Sequence, residues 1–274
     1  MGQLIKLRQI ITSMFESFGV DKTDADWLLV DVLKIKRQDL NKDLPVTKSQ
    51  INKVYKLAKK RCKGLPLSQV LGKANFYGYD FIVNKNVLSP RMETELLVEE
   101  IIKTKGLKHG LDIGCGSGII PITLSLEANM FMTAVDVSCK ALSVAKKNAK
   151  LYNVYVEFIK SDLFNNIKNK KFDFIVSNPP YIKSEDIKFL DREVRHDPML
   201  ALDGGKDGLI FYKKIIEKSP QFLNDGGYIF FEVGINQASD VAKLLEKDFY
   251  NIEIIKDYNK IERIVKAKIR PIGE

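Results

Sequence analysis

Cysteine and histidine are scarce in this chain, at three cysteines (Cys62, Cys115, Cys139) and two histidines (His109, His196) among 274 residues. The cysteines are odd in number, widely spaced and form no CxxC pair. They offer neither a disulfide framework nor a thiolate zinc site, and they fit a reducing cytoplasm. Two histidines are too few for a histidine-based metal centre, so no metal is expected. No apolar run reaches the roughly 18 residues that a membrane span requires. The first nineteen residues alternate polar and apolar types at helical spacing and lack the apolar stretch of a secretion signal. The expected setting is therefore cytoplasmic, without a membrane partner. Acidic residues are the minority sign, 35 against 44 Lys and Arg, for a formal net charge of +9. That balance suits an acidic partner, whether nucleic acid, a ribosome-associated complex or an acidic protein. Lysines spread along the whole chain are equally the mark of a solvated surface, so direct nucleic-acid binding stays open.

What is present divides into three stretches. Residues 1–71 read as a small N-terminal helical bundle. Leu4, Leu7, Ile10, Ile11, Met14 and Phe15 recur on one helix face until Gly19 ends the run. Trp27, Leu28, Val30, Leu33 and Ile35 mark a second helix. Thr47, just after Pro45, is placed to cap a third, which carries Ile51, Val54, Tyr55, Leu57 and Ala58 before Gly64 and Pro66 stop it. No catalytic set lies here, so packing or partner recognition is the expected use. Residues 72–87 gather aromatic and β-branched side chains around Gly78 and predict a β-hairpin linker. From 88 to 274, apolar strands at 107–113, 131–135, 154–159, 172–176 and 228–233 alternate with helical patterns. That alternation predicts a mostly parallel sheet covered on both faces. Two more strands, 252–256 and 263–269, follow without a helix between them and predict an antiparallel hairpin at the sheet edge. The expected fold class is α/β, with a mostly parallel seven-stranded sheet behind the bundle and the hairpin.

Asp112-Ile113-Gly114-Cys115-Gly116-Ser117-Gly118 falls where the first strand of the sheet meets a helix. Glycines there permit a tight turn and let backbone N–H groups approach a ligand closely. Ile119 stands where the dinucleotide pattern GxGxxG needs a small residue, and no lysine follows as in a P-loop. Asp136 ends the next strand, where a carboxylate can accept both ribose hydroxyls of an adenosine. Taken alone it is as well explained as a helix cap. Asp162 and Leu163 follow the third strand, where the adenine ring should lie. Leu163 would pack on the ring and Asp162 accept from its exocyclic amine, with a core leucine and a helix cap as the plain alternatives.

Asn178-Pro179-Pro180-Tyr181 follows the strand that ends at Ser177. Consecutive prolines stiffen the loop and remove two N–H donors, so its polar groups are mainly carbonyl oxygens. The Asn178 side-chain oxygen and the Pro179 carbonyl can accept both hydrogens of an incoming NH2 group whose lone pair is delocalised. Two acceptors hold such a nitrogen and favour the more tetrahedral form that develops as it attacks a methyl group. The Tyr181 ring can stack on the planar group. A strong base is unnecessary, because the methylated nitrogen sheds its proton readily.

The Gly-x-Gly-x-Gly spacing after an acidic residue resembles the first motif of class I, Rossmann-like methyltransferases. With Asp136 and Val-Ser-Asn-Pro-Pro-Tyr-Ile at 176–182, the chain resembles the N5-glutamine methyltransferases of peptide-chain release factors. The resemblance extends to 66–72, to Phe76-Tyr77-Gly78, to Pro90-Arg91-Met92-Glu93-Thr94-Glu95, to Asp197-Pro198, Ala201-Leu202, Gly204-Gly205 and Asp207-Gly208-Leu209, and to Glu232-Val233-Gly234 with Gln237. It implies that S-adenosyl-L-methionine, leaving as S-adenosyl-L-homocysteine, contacts Gly114, Cys115, Gly116, Ser117 and Gly118, Asp136, Leu163 and Asn178; Asp162 joins this set from its place after the third strand. It implies further that the glutamine of a Gly-Gly-Gln loop in class I release factors lies on Asn178, Pro179, Pro180 and Tyr181. Asn178, Pro179 and Tyr181 would be catalytic, in an enzyme of translation termination acting as a monomer. Arg91 and Glu93 are assigned either to the methionine end of the cofactor or to a structural ion pair. Met92 replaces the family's usual proline, Ser89 an apolar residue and Lys260 a glycine.

Two other functions use the same residues. An adenine-N6 or other nucleic-acid amino methyltransferase needs the same pair of acceptors, but the chain has no added target-recognition domain or base-flipping insertion. A non-catalytic S-adenosylmethionine-binding adaptor on the ribosome would not need Asn178–Tyr181 intact.

Overall fold

The computed structural model describes residues 2–271 and divides into two compact units. Met1 and residues 272–274, the ends of the first and third expected stretches, lie outside the described residues. The smaller unit comprises Met1–Ala74 together with Asp191–His196, and the larger one Asn75–Leu190 with Asp197–Glu274.

The smaller unit is built from α1 (Gln3–Ser17), α2 (Thr23–Leu33), α3 (Lys48–Cys62) and α4 (Leu67–Leu71), with a 3-10 turn at Arg37–Asn41. Leu4, Leu7, Ile11 and Phe15 of α1 form the buried stripe, while Ile10, expected on that face, is half exposed. α2 stops before Ile35 because Lys34 takes a left-handed conformation (φ 55°). Trp27 points outward beneath the Arg37 guanidinium, 4.9 Å from its ring centre. Thr47 caps α3 as expected: its Oγ1 accepts the Gln50 N–H, and Gln50 Oε1 accepts the Thr47 N–H in return. The buried Arg61 ties the unit together, donating to Asp24 at 2.6 Å, to the Leu65 carbonyl at 3.2 Å and to Glu193 of the 191–196 segment.

A two-stranded hairpin, β1 (Lys73–Phe76) and β2 (Tyr79–Ile82), turns at Tyr77-Gly78, both at positive φ as a tight two-residue turn requires. Phe76 and Phe81 are fully buried in the core of the larger unit. That unit is organised on seven strands: β3 (His109–Ile113), β4 (Phe131–Asp136), β5 (Val156–Lys160), β6 (Phe172–Ser177), β7 (Leu223–Glu232), β8 (Phe249–Lys256) and β9 (Glu262–Ile269). Their order is β5-β4-β3-β6-β7-β9-β8, parallel from β5 to β7, with β9 and β8 antiparallel at the edge. β8 begins three residues before the expected start. A bulge beside Asn251 (φ 47°) breaks the alternation that marks a strand in sequence.

Alternate residues of each strand feed two cores. α5 (Met92–Lys103), α6 (Ile119–Ala128) and α7 (Cys139–Leu151) pack over Met132, Phe174 and Phe230. α8 (Ile210–Lys218) and α9 (Ala238–Leu245) pack over Ile175, Ile229 and Phe231. Each such fully buried side chain contributes about 1.5–3 kcal/mol. The chain runs outward from β3 to β5 and then returns to β6 on the other side of β3, so the carboxyl ends of β3 and β6 meet at a switch in winding direction. Ligands of open parallel sheets bind in the crevice at such a switch. No helix among the described residues is long and apolar enough to cross a membrane.

Candidate active site

The cavity at this switch lies within the larger unit. Gly114 and Gly116 after β3, Asp136 after β4, Asp162 and Leu163 after β5, and Asn178, Pro179 and Pro180 after β6 all line it. Gly114, Gly116 and Gly118 have φ of +80°, +55° and +80°, which explains the glycine at each position. The turn is pinned by the Val135 carbonyl, which accepts from the Gly114 and Cys115 N–H groups. A Cβ built on Gly114 or Gly116 meets nothing within 4 Å, so both backbones border open space. One on Gly118 would press on Ala145 at 3.0 Å, so that glycine serves helix packing.

Asp136 accepts the Gly116 N–H at 2.9 Å and the Ser138 N–H at 2.8 Å, one on each oxygen. Asp112 is fully buried, and neither of its carboxylate oxygens has a hydrogen-bond partner among the described residues. Burial, with Asp136 nearby, pushes its carboxyl well above the ordinary range. Among the described residues, the cavity lining contains two carboxylates, Asp136 and Asp162, and no lysine, arginine or histidine. The two acids of the lining suit a ligand that offers hydroxyl or amino donors.

The remaining expected residues sit elsewhere. Cys115 and Ser117 are buried beneath the loop, and the Ser117 carbonyl accepts from Asn148. The Tyr181 ring packs against the α8/α9 core, and burial beside Glu232 pushes its phenol up to about 12, so it stays neutral and is not a base. Arg91 pairs with Asp197 and Glu93 with Arg263, and neither lines the cavity. Ser89 is buried, donating to Asp197 through both its N–H and its hydroxyl. Met92 opens α5 fully exposed, where a proline or any other side chain fits.

The loop from 178 to 184 is braced by the segment 202–208. Ile182 exchanges hydrogen bonds with Leu202 and Gly204, at 3.0 and 2.8 Å. A Cβ on Gly204 would lie 2.8 Å from the Pro180 carbonyl oxygen, which accounts for glycine there. Gln237 holds the far side, donating to the Tyr181 carbonyl at 3.0 Å while accepting from the Gly234 N–H at 3.1 Å. The Asn178 Nδ2 atom donates to Thr94 Oγ1 at 3.3 Å, leaving Oδ1 as the amide atom available to the cavity. Sequence reading assigned no part to Asp112, Thr94 or Glu232. Asp112 is the first residue of the glycine motif, and it is secluded near the end of β3 between Ala134 of β4 and Val176 of β6.

Comparison with known proteins places the chain in a family. The PrmC N-terminal domain model matches residues 6–72 and the methyltransferase small domain model residues 82–195. The chain is 37% identical over 254 residues to the release factor glutamine methyltransferase of Geobacter sulfurreducens, covering 90% of this chain and 89% of the relative. With that of Bacillus subtilis it shares 36% identity over 273 residues, covering 94% and 95%. Among solved structures, a methyltransferase from Pyrococcus furiosus matches with a TM-score of 0.57 at 19% identity, over 70% of this chain and 90% of that one. The hMettl16 catalytic domain matches with a TM-score of 0.60 at 16% identity, over 82% and 84%. These two speak for the class I methyltransferase fold alone. Identity above one third along nearly the whole length does more: the chain is a methyltransferase, and it belongs to the family of release factor glutamine methyltransferases.

Proposed function

We propose that the protein transfers a methyl group from S-adenosylmethionine to the side-chain amide nitrogen of the glutamine in the Gly-Gly-Gln motif of class I release factors, giving N5-methylglutamine. The observation that carries this reading is the Asn178-Pro179-Pro180 loop lying on the same cavity as the glycine turn and Asp136. The cofactor supplies, when bound, an electrophilic methyl group. Asp136 would accept from its ribose, and Leu163 and Asp162 would meet its adenine. Asn178 Oδ1 and the Pro179 carbonyl would accept both amide hydrogens of the glutamine, aiming the nitrogen lone pair along the line of attack. Two prolines and the Gln237 brace hold those acceptors in place beforehand, so little reorganisation accompanies the reaction. The extra proton of the product nitrogen leaves to solvent, since no side chain lining the cavity is a strong base.

The names of the relatives supply the substrate in this reading, and the helical unit, matched by the PrmC N-terminal model, is assigned to docking it. The test is label transfer. Methyl-labelled S-adenosylmethionine should mark release factor, should leave unmarked a release factor whose Gly-Gly-Gln glutamine is replaced, and should leave DNA unmarked. Label on adenine, with none on release factor, would make the protein a nucleic-acid methyltransferase instead.

A further inference from the structure

Behind Asn178 lies a buried chain of polar groups drawn from three elements, the first turn of α5, the end of β6 and the end of β7. Asn178 Nδ2 donates to Thr94 Oγ1 at 3.3 Å, and Thr94 Oγ1 donates to Glu232 Oε2 at 2.6 Å. Thr94 is 1% and Glu232 3% exposed, so water does not compete for these bonds. A hydroxyl has one proton. With that proton committed to the carboxylate, Thr94 offers Asn178 only a lone pair, and only the NH2 end of a carboxamide can meet a lone pair favourably. The reverse orientation would set two acceptors against each other in a dry site, at a cost of about 1–3 kcal/mol.

We propose that Thr94 and Glu232 are positioning residues that fix the side-chain amide of Asn178 with its oxygen toward the reacting nitrogen. This rests on the methyl-transfer reading of the Asn-Pro-Pro-Tyr loop. Neither residue lines the cavity, so each acts through Asn178. Their neighbourhood sets the protonation state on which the direction of the chain depends. The Tyr212 hydroxyl donates to the Glu232 backbone carbonyl at 2.8 Å, anchoring the end of β7. Burial and Glu93 raise the Glu232 carboxyl to about 7, while Thr94, Arg263 and Asn178 oppose that rise, and Tyr181 beside it stays neutral. A protonated Glu232 can donate to Thr94, which frees the threonine proton for Asn178 Oδ1 and turns the amide round. The chain therefore delivers the productive orientation when Glu232 is ionised.

Thr94→Val removes the hydroxyl at nearly constant shape, and Thr94→Ser restores it. Thr94→Val should lower kcat on release factor about tenfold or more. The Kd for S-adenosylmethionine, read by calorimetry, should stay within about threefold of wild type. Thr94→Ser should recover most of the rate. A second readout needs neither substrate nor cofactor. The Asn178 side-chain NH2 resonances, identified by their loss in Asn178→Asp, should exchange slowly in the wild-type protein and at solvent-like rates in Thr94→Val. Wild-type kcat in Thr94→Val, a Thr94→Ser variant as impaired as Thr94→Val, or NH2 exchange unchanged by Thr94→Val would each overturn the proposal. Absence of transfer to release factor by the wild-type enzyme would overturn the substrate reading, and the resonances would still decide the role of Thr94.

Discussion

Asp136 accepts the backbone N–H of Gly116 at 2.9 Å, so the acid after β4 and the glycine turn after β3 form one piece of structure. Twenty residues of chain separate them, and adjacent parallel strands bring them together. Loss of this carboxylate removes the clamp on the loop and, in the function proposed above, an acceptor for the ribose. Asp136→Ala should therefore weaken S-adenosylmethionine binding by about 1–3 kcal/mol. Calorimetry on the folded variant checks this, and an unchanged Kd would put the ribose elsewhere.

The three loop glycines should separate by function. Gly116 borders open space at φ +55°, so Gly116→Val should lose S-adenosylmethionine binding because a branched side chain stands in the ligand's approach. A Cβ at Gly118 would lie 3.0 Å from Ala145, so Gly118→Ala should show its effect first in thermal stability. Melting curves with and without the cofactor distinguish the two.

Lys260 sits at φ +64° in the turn between β8 and β9, a left-handed position that favours glycine. Asp257 closes that turn, its side chain accepting from the Asn259 and Ile261 N–H groups. Lys260→Gly should stabilise the protein by up to about 1 kcal/mol, the strain relieved being partly offset by the greater freedom of the unfolded chain. Urea denaturation reads this directly. A destabilised Lys260→Gly would mean that the lysine side chain makes a contribution larger than the strain.

Glu232 predicts a pH dependence. Burial raises its carboxyl from 4.5 to about 7, so between those values the folded state holds a proton that the unfolded chain has lost. Stability falls as pH rises through that window and levels off above it, by an amount on the order of 3 kcal/mol from this group. The carboxyls of Asp112 and Asp136 are raised too and act in the same direction. The difference between wild type and Glu232→Gln isolates the Glu232 share. Parallel denaturation midpoints for the two proteins from pH 5 to pH 8 would contradict it.

Much of this arrangement is legible in the sequence. Seven strands, the antiparallel pair at the edge and the glycine turn all follow from hydrophobic periodicity and from glycines at a strand-to-helix junction. The Thr47 cap is likewise visible, because its pattern is local. What escapes reading depends on the third dimension. β7 starts five residues before its apolar core, since Leu223 pairs with Phe172 of β6 ahead of a register shift that carries no sequence mark. Tyr181 follows the motif yet turns into the α8/α9 core, a choice made by packing against Gly234. Thr94, Asn178 and Glu232 are far apart in sequence, and only the pairing of β6 with β7 and the packing of α5 over them make them neighbours. Ser89 and Lys260, departures from the family pattern, become intelligible through one buried partner, Asp197, and one backbone angle.

If the Asn-Pro-Pro-Tyr loop performs the transfer, Asn178→Ala is the variant that should lose it. Single-turnover methylation of release factor and S-adenosylmethionine affinity should be measured on the same folded protein. The rate is expected to fall by about 10²-fold or more, as on removal of one preorganised hydrogen-bonding group from an oxyanion hole. Cofactor affinity should change far less, because Asp136, Leu163 and the glycine turn remain in place. Asn178→Asp, which keeps an oxygen, should retain more activity than Asn178→Ala. Transfer at the wild-type rate by Asn178→Ala would contradict the assignment and move the chemistry away from this loop.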